Sequence, residues 1–119
     1  MNMKTAIMVL GTVIGGVVAA TSAQAQTPLT DYAGPDGMIN VQKLSCAALA
    51  NTFQEDADAL SMWYSGWYNG LGKKSSFNWP RAKAAEHAVI VYCKENQKKT
   101  IIQAIAWAID QEKKGTLPK

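Results

Sequence analysis

From residue 40 onward the apolar positions recur at helical spacing, and no β-branched alternation is long enough for a strand. Ser45 suits an N-cap, and Cys46–Asn51 follows as a short first helix. A second helix is expected from about Gln54 to Gly70. Its stripe Leu60, Trp63, Tyr64, Trp67 and Leu71 falls at i, i+3, i+4, i+7 and i+11. Glu55, Asp56 and Asp58 lie in or near its first turn, where carboxylates oppose the positive end of the helix dipole. Pro80 suits the first position of a third helix, whose face carries Ala82, Ala85, Ala88, Val89, Tyr92 and Cys93. A fourth helix is expected from Gln97 to Lys113 with Ile101, Ile105, Ala108 and Ile109 inward.

Upstream of this pattern the chain changes character. Lys4, the apolar run Ala6–Ala20 and the A-x-A triplet Ala23-Gln24-Ala25 read as a secretory signal over residues 1–25, cleaved after Ala25. That run is too short for a membrane span, and no later segment can cross a bilayer. Residues 26–39 hold two prolines, two glycines and two aspartates and are expected as an extended, flexible arm. The helical domain occupies 40–115, and 116–119 form a tail.

Export changes the reading of the cysteines. Cys46 and Cys93 most simply form one structural disulfide, the alternatives being a reactive pair or an intermolecular bridge. The expected fold is all-α, a small orthogonal four-helix domain stapled by that disulfide. After loss of Lys4, 11 basic side chains face 9 acidic ones, which is weak grounds for nucleic-acid binding, and no nucleic-acid partner is expected. One histidine and two cysteines make no zinc constellation, and no nucleotide or hydrolase motif occurs, so no metal or cofactor is expected. His87 lies off the alanine face, as a solvated histidine.

Trp107 sits among Gln103, Ala104, Asp110 and Gln111, opposite the fourth helix's stripe. It is expected either as an interface residue or as a side chain covered by the arm, with Tyr32 over it. The residues by themselves reach a small exported all-α protein with an interaction function.

Two stretches carry more. Leu44–Leu49 (LSCAAL) precedes a helix holding Met62–Asn69 (MWYSGWYN), and Val91–Lys99 (VYCKENQKK) leads into the last helix. This arrangement resembles the HdeA/HdeB family of periplasmic acid-stress chaperones, in a divergent form. That family's pattern has a Thr/Ser-Cys opening a short helix, an aromatic helix often carrying Ser-Gly-Trp-Phe/Tyr, and a second Cys before a basic, Asn-containing turn. The resemblance covers residues 44–112; the Pro28–Met38 arm is outside it.

The resemblance implies a domain clasped by Cys46–Cys93 and a homodimer near neutral pH. It further implies that acid loosens the protein, which then holds unfolded periplasmic proteins without ATP and releases them on neutralisation. In strong acid the exported chain rises to about +12, and the contacts of Glu55, Asp56 and Asp58 are lost, which makes these the expected pH-sensing residues. Leu60, Trp63, Tyr64 and Trp67 are expected to pack at neutral pH and to face clients after opening, with Trp107 released from an interface. Two other readings stand beside this one. The first is a constitutive protein-binding module, such as an immunity protein or envelope adaptor. The second is a small hydrolase, for which the only paired acids in view open the second helix.

Overall fold

The computed structural model describes residues 25–117. Apart from Ala25, the expected signal segment lies outside the described residues, as do the last two positions of the tail. Four helices follow one another: α1 Cys46–Ala50, α2 Gln54–Leu71, α3 Trp79–Glu95 and α4 Ile101–Lys113. No β-strand occurs among the described residues, and Cys46 is bonded to Cys93 within the chain.

The centre of the molecule is a clasp of α1, α3 and α4. Cys46 and Cys93 are fully buried, with Cα atoms 4.6 Å apart. Ser45 precedes α1, but its side chain caps nothing. Instead the free N–H groups of Cys46 and Ala47 donate to the Lys99 and Gln97 carbonyls at 2.7 and 3.1 Å. The α3–α4 turn thus does the work expected of a side-chain cap. Ile101 N–H returns a bond to Leu44 O at 3.0 Å, and Asn51 Nδ2 donates to Gln97 Oε1 at 3.1 Å.

The fourth helix starts at Ile101, four residues later than the sequence pattern suggests. Thr100 caps it: its hydroxyl accepts from Gln103 N–H while the Gln103 side chain accepts from Thr100 N–H. Residues 97–99 are thereby free to form the turn that receives α1. The buried positions of α4 are Ile101, Ala104 and Ala108. Ile109 is exposed, about 100° of rotation from Ala108, and is not part of the core stripe.

The arm is not simply extended. Leu29–Tyr32 form a 3-10 turn, Thr27 N–H donates to Asn51 O at 2.9 Å, and Leu29 N–H donates to Asp56 Oδ2 at 3.0 Å. Leu29 and Tyr32 pack against the core. Asp56, at an otherwise unoccupied helix N-terminus, accounts for the docking.

Candidate functional site

α2 forms one wall of an apolar groove of about 170 Å³, with α3 and α4 across from it. Its lining comes from Leu49 of α1, Met62, Tyr64 and Tyr68 of α2, Val89 of α3, and Ile101, Ile105 and Ala108 of α4. α2 buries Ala57, Leu60 and Tyr64, spaced i, i+3, i+7. Tyr64 is 2% exposed and donates its hydroxyl to the Val41 carbonyl. Burial, and then the neighbouring Tyr68, push its pKa up to about 12, so it stays a donor throughout the acid range.

The aromatic stripe divides. Trp67 and Tyr68 are half-buried against the core, with ring centres 5.5 Å apart. Trp63 is 50% exposed, contrary to its expected packing. It is one residue, about 100° of rotation, from the inward Tyr64, and rests edge-on against that ring at 5.8 Å. Leu71 is also exposed, because it ends the helix beyond the packed turns. Phe77 and Trp79, in the loop and at the start of α3, form a second exposed aromatic pair at 6.1 Å.

Trp107 packs on α3 of its own chain. Its ring stacks on Tyr92 of α3 at 4.6 Å, with the planes 24° apart. The true inward face of α4 is turned toward Ala104, which brings Trp107 to the α3–α4 seam, half-buried against the core. Arg81 and Glu112 close the same seam with an ion pair at 2.9 Å.

The three expected acid-sensing residues have separate fates. Glu55 makes no hydrogen bond or ion pair among the described residues, Asp56 holds the arm, and Asp58 joins a cluster across to α3. In that cluster Asp58 accepts from Gln54 Nε2 at 2.9 Å and faces Lys83 Nζ at 3.7 Å. Lys83 Nζ also donates to Glu86 Oε1 at 3.1 Å. Glu86 is 9% exposed, the one buried charged residue among those described. Desolvation, then its hydrogen bond with Asp58, holds its carboxyl above the usual range. The hydrogen bond with Glu86, then the one from Gln54, holds Asp58 below its usual range. Of the two carboxyls, Glu86 is therefore the one that takes up a proton first as pH falls. Sequence reasoning missed Glu86, although it sits at i, i+3, i+7 with the buried Val89 and Cys93.

Two hydrogen-bonded carboxyls could suggest hydrolysis. Glycoside hydrolysis needs its carboxyls about 5–9.5 Å apart, with the scissile bond between them. Asp58 and Glu86 both face the Lys83 ammonium, at 3.7 and 3.1 Å, so a cation occupies the place that a scissile bond would need. His87 is exposed, and no group of three or more His, Cys, Asp or Glu among the described residues could hold a metal. No helix among them is long and apolar enough to cross a membrane.

These features define a small disulfide-clasped helical domain with an apolar groove between α2, α3 and α4 and Glu86 at its edge. A model of the HdeA/HdeB family matches residues 7–103, and the chain belongs to that family. The family is one of periplasmic acid-stress chaperones rather than enzymes. No curated protein and no solved structure matches the chain.

Proposed function

We propose that this protein is an ATP-independent holdase, exported to the periplasm by cleavage after Ala25, that binds unfolding proteins at acid pH. The observation that carries the reading is the groove: apolar side chains of α1, α3 and α4 face α2, which has acidic residues in its first turn and meets α3 through Asp58 and Lys83. At neutral pH Leu60, Tyr64 and Trp67 are engaged in packing. In acid nine carboxylates lose their charge, self-repulsion rises, and these side chains become available to clients. Trp63 is already at the surface and supplies a first contact. The disulfide persists, because thiolate exchange is suppressed in acid. Near neutral pH the protein is a homodimer, which sedimentation of the purified protein tests.

The test of the holdase is light scattering from an aggregation-prone client, at about pH 2.5 and at pH 7, where carboxylates are respectively neutral and charged. The expected result is suppression in acid alone, with release on neutralisation. Equal binding at both pH values would instead identify a constitutive binding module, the reading that the exposed Phe77 and Trp79 favour. No suppression at either pH overturns the proposal.

A further inference from the structure

We infer that α2 is a lid, latched across α3 by Asp58, Lys83 and Glu86, that opens as a unit in strong acid while the α1–α3–α4 clasp stays closed. This deepens the holdase reading by giving its exposure step, yet it can be read out without any client.

The four helices are begun in different ways. α3 is capped by Asn78, whose side chain accepts from Arg81 N–H at 3.0 Å, and α4 by the Thr100–Gln103 box. α1 is begun by backbone carbonyls of the α3–α4 turn. None of these groups titrates in acid. α2 follows Phe53, which makes no side-chain cap, and it alone among the four has acidic residues, Glu55 and Asp56, in its first turn. Acidic side chains there face the positive end of the helix dipole.

The ties between elements divide the same way. The clasp is joined by the Cys46–Cys93 bond, backbone bonds around Ser45 and Thr100, and the Tyr92–Trp107 stack. Among the described residues its one tie through a carboxylate is Arg81–Glu112, between the start of α3 and the end of α4 and away from the Cys46–Cys93 bond. α2 is held by the Tyr64 hydroxyl, by Asp56 to the arm, and by the latch. Asp58 comes from α2, and Lys83 and Glu86 from α3. α1 offers no titratable group besides the bonded cysteine, and α4 directs Glu112 to Arg81 and Asp110 to Lys114. No charged group outside the trio perturbs Asp58 or Glu86.

The pH sense follows from the two carboxyls. The raised Glu86 takes up its proton more readily folded than unfolded, so its contribution grows as pH falls through the glutamate range. The depressed Asp58 contributes above its unfolded pKa and loses that contribution as pH falls through its folded one. The latch therefore holds through mild acid and releases only below the usual aspartate range. The lid is weak along its length too. At Gly66 and Gly70 a Cβ would meet nothing within 4 Å, so no close approach calls for a glycine at either place, and each lowers the helix propensity of α2.

Hydrogen-exchange mass spectrometry of the disulfide-intact protein at about pH 4.5 and about pH 2.5, on either side of aspartate titration, tests this. Peptides from residues 54–71 should lose protection at the lower pH only, while those from 86–95 and 101–110 keep theirs. Gly66→Ala should raise α2 protection in acid roughly fourfold, by its helix propensity, and leave α4 unchanged. Asp58→Asn, which cannot carry the carboxylate, should remove the difference between pH 4.5 and pH 2.5 that the latch sets. Equal loss across all helices, or an equal gain in α2 and α4 on Gly66→Ala, means global unfolding and overturns the lid. Full protection of α2 at pH 2.5 overturns it as well. A holdase assay that fails while α2 still opens alone overturns the chaperone reading and leaves the lid standing.

Discussion

The clasp and the lid both bury apolar side chains but are held by opposite chemistry. In the clasp, closure rests on a disulfide, backbone hydrogen bonds, a neutral capping box and an aromatic stack. In α2, the first turn, the arm contact and the strut to α3 all pass through carboxylates. Acid acts on carboxylates and leaves amides and disulfides alone, so one pH change can free one region and spare the other. What makes a domain selectively openable is therefore the placing of titratable ties on one element, more than their number.

The comparison can be broken from either side. The largest effect is expected from Cys46→Ser, which should cost about 2–5 kcal/mol. Urea unfolding should show a similar loss at neutral and acid pH, because the bond does not titrate. Leu60→Ala, inward from α2, should cost about 2–4 kcal/mol by cavity formation. Dye binding should then begin at a higher pH than in the parent protein.

Trp107→Ala removes the ring stacked on Tyr92 and should cost about 2 kcal/mol, less than a fully buried aromatic. Thermal unfolding should show this loss in the clasp, and sedimentation should show any separate effect on self-association. The smallest effect is that of Thr100→Ala, about 1 kcal/mol from the lost cap. It should be equal at neutral and acid pH, since neither Thr100 nor Gln103 titrates.

Much of the clasp is legible in the sequence because its signals are local or compositional. Two cysteines behind a signal-like segment, an alanine face and a proline at a helix start need no tertiary context. The start of α4 is not legible, because helix periodicity cannot see that residues 97–99 are claimed by α1 as hydrogen-bond acceptors. Trp63 departs from its expected place, and Trp107 packs on Tyr92, through a modest rotation of each stripe, which decides whether a ring at its edge is covered or free. Asp58 stands out by its position near a helix start, but its partner Glu86 depends on how α2 crosses α3. That crossing is not written in either helix, although Glu86 on the buried face of α3 is a readable warning.

The most direct test of the contrast is fluorine NMR of the protein labelled with 5-fluorotryptophan, followed from pH 7 to about pH 2.5 through the carboxylate range. Trp67 reports the lid, Trp107 the clasp, and the exposed Trp63 and Trp79 serve as references. The account predicts that Trp67 moves to a solvent-exposed shift below the usual aspartate range while Trp107 keeps the shift of a ring stacked on Tyr92. Movement of Trp67 and Trp107 together over one pH range, or of neither, would contradict it.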